Sequence, residues 1–395
     1  MINYPDPVRW PAVSTALITL TLAMLPGFLG GALAVQIRAD IGLSLSGLGA
    51  VLGVFFGTAA VASAPAGRLA QRVGWERGIQ LAATVAAVTL AGVALVARSL
   101  PSTLAVFAVG GIGAALAQPS ADLTIARCAP PHRHGFMFGL KHAAVPAATL
   151  LGGIAVPTVA LTVGWRWAFV IGAVAAGAVA LSAPMVTAGT QTGPATVTDA
   201  PGARPTTHLR LLIILAAAVG LGIGATDAMA AFLVSYSVDI GIGEAAAGLM
   251  LTVGSGAGMI TRLAAGWVID RHRSADLAAV ATMLGLATLG TVIIATGGRA
   301  ALLIGGLIGF AAGWGWSGLF TFAVVRANPD APAAASGITQ SGKFLGAALG
   351  PAAFGVIADR ISFTTAWWTT AIALGVAGMI IVYVKGRLTA QTQPA

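Results

Sequence analysis

Thr261-Arg262-Leu263-Ala264-Ala265-Gly266-Trp267-Val268-Ile269-Asp270-Arg271 closes an apolar run that begins near Glu244, and it ends abruptly in charge. Arg262, Gly266 and Asp270 recur at every fourth position, which puts them on one face of a helix. The helix meets water at Asp270-Arg271. At ~1.5 Å per residue, Arg262 then lies roughly 12 Å deeper, inside a hydrocarbon core about 30 Å thick. A cation at that depth is costly, faces a cavity or a partner, and is a functional candidate.

The stretch has an echo 199 residues earlier, in Ser63-Ala64-Pro65-Ala66-Gly67-Arg68-Leu69-Ala70-Gln71-Arg72. Gly67 falls over Gly266 and Arg72 over Arg271; the same shift lays Asp40-Ile41-Gly42 over Asp239-Ile240-Gly241 and Arg127 over Arg326. A shift of 198 places Gly139 over Gly337 and Gly152 over Gly350. Both shifts are close to half of the 395 residues, so the chain reads as two copies of one unit. Internal symmetry of this kind is a transporter signature.

Composition points the same way. Hydrophobic residues make up 57% and charged residues 8%, with a mean hydropathy of +0.91, which does not suit a soluble domain of this length. The net charge of +9 does not imply nucleic acid, because the basic residues fall in short loops between apolar runs, where they act as orientation signals. The single cysteine, Cys128, excludes an intramolecular disulfide and the common zinc clusters. No cleavable leader is expected, because the first apolar segment is too long and lacks a basic flank.

Twelve apolar segments are each long enough to span: 12–36, 44–67, 78–97, 102–126, 136–161, 166–187, 209–238, 244–269, 276–296, 300–325, 333–358 and 363–384. Residues 188–208, rich in Gly, Pro, Thr and Ala, are expected to form a cytoplasmic linker between six-helix bundles at 1–187 and 209–395. With both termini inside, thirteen Lys and Arg fall on the inner face and five on the outer. This bias predicts a multi-pass protein of the cytoplasmic (inner) membrane with cytoplasmic termini. Lys141, Arg262 and Lys343 are the three cations left within spans.

Gly67-Arg68-Leu69-Ala70-Gln71-Arg72-Val73-Gly74-Trp75-Glu76-Arg77 follows the second span and resembles the G-x-L-x-D-R-x-G-R-R/K loop of the major facilitator superfamily. Gln71 stands where that family has Asp, whereas the second copy, Gly266-Trp267-Val268-Ile269-Asp270-Arg271, keeps its acid. The resemblance covers the whole chain. It implies an all-α membrane protein with twelve transmembrane helices in two pseudo-symmetric six-helix bundles, a central cavity and alternating access. It also makes Gly67, Arg72, Gly74, Gly266, Asp270 and Arg271 gating residues. Drug-antiporter families often carry an Arg in the fourth span and a Gly-Pro pair in the fifth. Here the fourth reads Val106-Phe107-Ala108-Val109-Gly110-Gly111-Ile112-Gly113 and the fifth Val145-Pro146, which lowers the expectation of drug efflux.

In the eleventh span, Gly342, Gly346 and Gly350 recur at every fourth position and predict close helix packing. Lys343 lies there about ten residues in, roughly 15 Å deep and near the midplane. Arg262 approaches a similar depth; Lys141 is shallower. The acids within spans are Asp122, near the inner end of the fourth, and Asp227, in the outer half of the seventh, neither a neighbour of Lys343 by depth. Buried cations without protein partners call for an anion, a wet cavity or loss of the proton, and the Arg fork suits a carboxylate. An Arg four residues before Gly in the eighth span, with a Lys in the eleventh, also resembles the oxalate–formate and monocarboxylate transporters, in which paired cations hold a carboxylate.

These residues predict a secondary transporter for a small organic anion, working by proton coupling or by exchange. Arg262, Lys343, Lys141, Trp314 and Trp316 are the expected substrate contacts, and Asp227, Asp122 and His142 the proton-coupling candidates. Bland alternatives stand beside them. Arg262 belongs to an inner gate and pairs with Asp270 or with acids elsewhere, Lys141 pairs with Asp122 across adjacent spans, Asp227 and His142 are satisfied interior groups, and the tryptophans are packing. Rival functions are a proton-coupled efflux pump for apolar compounds and a solute sensor that does not transport. The sequence carries no Walker loop, no enzyme signature and no metal or cofactor motif. The expected partners are the lipid bilayer, an anionic solute and protons or a counter-substrate, with no nucleic acid and a monomeric state.

Overall fold

Apolar runs of 20 to 30 residues can satisfy their backbone in lipid only as helices, and helices are what form. The computed structural model describes residues 8–130, 133–187, 209–272, 277–328 and 331–392; the expected linker at 188–208 and the side chain of Asp270 lie outside the described residues. The helices are α1 Trp10–Ala32, α2 Ala34–Ile41, α3 Leu45–Val96, α4 Leu100–Cys128, α5 His134–Ala155, α6 Trp165–Thr187, α7 Leu209–Asp239, α8 Glu244–His272, α9 Leu277–Ala295, α10 Arg299–Ala327, α11 Pro332–Arg360 and α12 Phe363–Thr392. A π-helical turn, Val156–Ala160, extends α5, and no strand occurs among the described residues.

Two of the expected boundaries change. The first span breaks at Leu33 into α1 and α2, because Leu33 leaves the helical region (φ −95°, ψ 17°) and the chain resumes as a short second helix. The second and third spans run on as α3, through the stretch expected to be a loop, with one interruption at Gly74. Its φ of 82° and ψ of 164° lie where side-chain-bearing residues rarely go, so the chain turns there without unwinding on either side. Among the described residues, ten helices are long and apolar enough to cross a membrane, α3 counted once. Helix α8 is not among them, its apolar run being diluted by Gly, Ser, Thr and Arg262.

Lipid supplies no hydrophobic drive between helices, so packing rests on close van der Waals approach. Helices α7 and α11 show it most strongly. A β-carbon on Gly342, Gly346 or Gly350 would stand 2.0 Å from the Ala216 oxygen, 1.9 Å from the Gly220 oxygen or 2.1 Å from the Gly224 oxygen. Ala216, Gly220 and Gly224 also recur at every fourth position, so two stripes of small residues lie backbone to backbone. Large apolar side chains such as Val61, Leu181, Val253 and Ile372 face outward. One buried cluster draws mainly on α1–α6 with residues from the later helices; a second, including Leu212, Val280, Trp316, Phe320 and Leu374, comes from α7–α12 alone.

Helix α1 starts beside the end of α4, where the Arg9 amide donates to the Cys128 carbonyl at 2.9 Å. On the opposite face, the helices close. A β-carbon on Gly49 would lie 2.7 Å from the Pro351 oxygen, on Gly153 2.6 Å from the Gly248 oxygen, and on Gly31 2.7 Å from the Ala231 Cα. Polar ties cross the same face: Gln36 Nε2 donates to Glu244 Oε2 at 2.5 Å and Ser46 Oγ to Asp359 Oδ2 at 2.6 Å.

Candidate functional site

Between these helices lies a cavity of about 640 Å³, lined from α1, α3, α4, α5, α7, α8, α10 and α11. Its lining runs from Phe28 and Trp314 to Ser63, Asp122 and Gly337, so it reaches toward the face where α4 and α10 end and α11 begins.

Three cations and two carboxylates line it: Lys141, Arg262 and Lys343 against Asp122 and Asp227. Lys141 Nζ meets Asp122 Oδ1 at 2.5 Å, so this lysine is paired across α4 and α5, as the bland alternative held. Lys343 Nζ donates instead to a neutral group, Thr321 Oγ1 on α10, at 2.8 Å. Asp122, already bonded to Lys141, lines the same cavity as Lys343. Asp122 and Lys343 thus share one cavity, although depth alone had suggested separate places. Counting residues from helix ends ignores how far long side chains reach across a cavity.

Arg262 is buried and tied to backbone. Its Nε donates to the Trp314 carbonyl at 2.5 Å, its Nη1 to the His142 carbonyl, and its guanidinium stands 4.9 Å from the centre of the Trp314 ring. It thus joins α8 to both α10 and α5. Asp227, buried on α7, lines the same cavity as Arg262. Asp227 lines the same cavity as Lys343, although its outer-half position had suggested separate places.

The two tryptophans part company. Trp314 lines the cavity and packs edge-on against Phe28 at 5.8 Å between ring centres. Trp316 does not line it: fully buried, it packs on Phe320 and against Gly222. Two residues along a helix rotate a side chain by about 200°, so both cannot face one cavity. His142 lines the cavity as well. Of the gating residues, Gly266 is also in the lining; Arg72 is exposed, and Arg271 stands over the Trp267 ring at 5.5 Å.

Residue-by-residue reading missed most of the apolar lining, including Met24, Phe28, Phe56, Phe138, Phe322 and Phe344, and the polar Gln118, Ser317, Thr321 and Gln340. The repeat held a signal for several. Met24 and Ile223, Phe28 and Asp227, Ser63 and Arg262, Ala115 and Trp314, Gln118 and Ser317, Pro119 and Gly318, and Asp122 and Thr321 are each 199 apart, and both members of every pair line the cavity.

A family model described as Major Facilitator Superfamily matches residues 15–348. The chain belongs to the major facilitator superfamily. As a major facilitator it is a multi-pass membrane transporter with the all-α fold of that superfamily. Comparison with curated proteins gives no match. Among the described residues no cluster of His, Cys, Asp and Glu fits a metal ion.

Proposed function

We propose that this major facilitator carries a small organic anion with an apolar body by alternating access, driven by proton coupling or by exchange. The observation that carries this is the unbalanced charge of the cavity. Lys141 is paired with Asp122, Arg262 is bonded to the Trp314 and His142 carbonyls, and Lys343 is left with a hydroxyl. A buried cation with a neutral partner is stabilised by an incoming carboxylate through a charge-assisted hydrogen bond. Phe28, Phe56, Phe138 and Phe344 around it suit the apolar part of the cargo.

In this reading Lys343 and Arg262 are the anion-binding pair, Trp314 a wall, Lys141 an electrostatic neighbour, and Asp227 and His142 the proton-coupling candidates. The gate works through Gly67, Arg72, Gly74, Gly266, Asp270 and Arg271. Residues 1–187 and 209–395 act as the two moving bundles, joined by 188–208 in the cytoplasm of a cell whose inner membrane holds the protein as a monomer. The test is a thermal-shift screen of purified protein against aliphatic and aromatic carboxylates, followed by flux of the hits in liposomes. Stabilisation and saturable flux are expected for at least one carboxylate. Response only to uncharged or cationic compounds would instead support proton-coupled efflux, the second reading. That reading draws on the largely apolar lining, with Asp227 as its membrane-embedded acid.

A further inference from the structure

The two lysine pairs of the cavity have a similar plan and a different charge balance. Asp122 and Thr321 are 199 apart, on α4 and α10, and both line the cavity. Each holds a lysine of the next helix: Asp122 takes Lys141 of α5 at 2.5 Å, and Thr321 takes Lys343 of α11 at 2.8 Å. Only the acceptor differs in charge. The first pair is neutral as a unit, whereas the second carries a net positive charge whenever its lysine is protonated.

We propose that Thr321 is a specificity-determining residue: by holding the Lys343 ammonium with a neutral hydroxyl where its counterpart position has a carboxylate, it makes the cavity select anions. This rests on the reading of the cavity as an anion site and names the position that sets the sign. The hydroxyl oxygen accepts one of the three ammonium protons, which fixes the lysine end while leaving its charge uncompensated. A carboxylate at position 321 would be within reach of Lys343, whose Nζ already meets the Thr321 hydroxyl at 2.8 Å. It would neutralise the cation in place. Symmetrically, removing the Asp122 charge frees Lys141.

The test needs no knowledge of the cargo. A cysteine is placed in the lining by Gln340→Cys, on α11 three residues before Lys343, in a chain whose only native cysteine, the buried Cys128, is changed to Ala. Reaction rates are compared for a sulfonate-bearing and a trimethylammonium-bearing methanethiosulfonate, and the ratio of the two reports the sign of the local potential. With Thr321 the sulfonate reagent is expected to be favoured relative to the same reagents on a solvated loop cysteine. Thr321→Asp is expected to lower the ratio at least about tenfold against Thr321→Asn, which has the same shape without the charge. Asp122→Asn is expected to raise it, and serves as the arm that decides if Thr321→Asp does not yield monodisperse protein. A parent chain that already disfavours the sulfonate reagent would defeat the anion-site reading itself. A parent that favours it, with an equal ratio in the Asp and Asn variants, would overturn the role of Thr321 while leaving that reading standing. If only the Asp122 arm can be measured, an unchanged ratio there overturns it.

Discussion

A β-carbon built on Gly139 of α5 would stand 3.3 Å from the Cα of Gly266 on α8, whereas Gly67 on α3 and Gly337 on α11 meet nothing within 4 Å. Gly337 lies 198 after Gly139, and Gly67 lies 199 before Gly266, so these are counterpart seams of the repeat. On the face where the cavity emerges, one seam is shut and the other is parted. Gly139→Cys with Gly266→Cys is therefore expected to form a disulfide under mild oxidation, and Gly67→Cys with Gly337→Cys to remain reduced in the resting protein. Cys128 is buried, which keeps the background low. Mobility on non-reducing gels reads the result, and equal cross-linking of both pairs would count against the asymmetry.

Packing along α7 and α11 leads to a second expectation. Gly346→Ala puts a methyl group 1.9 Å from the Gly220 oxygen, with backbone on both sides and no flexible side chain to yield. Forced separation of two well-packed helices costs about 1–3 kcal/mol or more. Gly67→Ala meets open space and trades a flexible residue for a good helix former. Melting in detergent is expected to fall by several degrees for Gly346→Ala and to hold or rise for Gly67→Ala; equal effects would show that the α7–α11 contact is looser than described.

The close-packing stripe was legible because its cause is local: Gly342, Gly346 and Gly350 declare a helix face by spacing alone. The cavity was legible only in part. Matching like with like across the repeat finds Gly67 and Gly266, but passes over Ser63 with Arg262, Phe28 with Asp227 and Asp122 with Thr321. Chemistry diverges at those positions, and there a search for identity is blind. Trp316 was misplaced because nearness in sequence was taken for a shared face, which helical rotation denies. The continuity of α3 was hidden for another reason. A charged stretch around Arg68 and Arg77 looks like a loop by composition, yet it stays helical outside the membrane and bends only at Gly74.

A pH dependence follows from the opposite face. Asp40 accepts hydrogen bonds from Arg166 Nη1 and from Trp165 Nε1, the latter at 3.2 Å. The hydrogen bond from Arg166 is the main cause that holds its carboxyl below the usual carboxylate range. A depressed folded-state pKa means the contribution is present above the unfolded value, about 4, and is lost as pH falls through the folded value. Melting temperatures of the parent and Asp40→Asn are expected to differ at pH 6–7 and to converge below about pH 4. The pair is solvent-exposed, so the difference is expected to be small and to shrink at high salt. A gap that does not narrow between pH 6 and pH 3 would assign the effect to packing.

The last prediction separates the two roles open to Arg262. Its fork is bonded to the carbonyls of Trp314 and His142, so it ties α8 to α10 and α5 before any cargo arrives. Lys343 carries no such tie to α5, its hydrogen bond being to Thr321. Lys343→Ala is expected to weaken carboxylate binding by on the order of 2–4 kcal/mol, about thirtyfold to a thousandfold, with the amount of folded protein little changed. Arg262→Ala is expected to lose affinity and also to shift the balance between cavity orientations, because the tie belongs to one of them. Arg262→Lys keeps the charge but not the planar fork, so it is expected to be impaired in both respects. Calorimetry gives the affinity, and the 139–266 cross-linking yield, measured in each background, gives the orientation. If Arg262→Ala changes the cross-linking yield at unaltered affinity, Arg262 is a gate residue and Lys343 alone holds the anion. If both alanine variants bind as the parent does, the cavity charge is not there for the cargo, and efflux of apolar compounds becomes the better account.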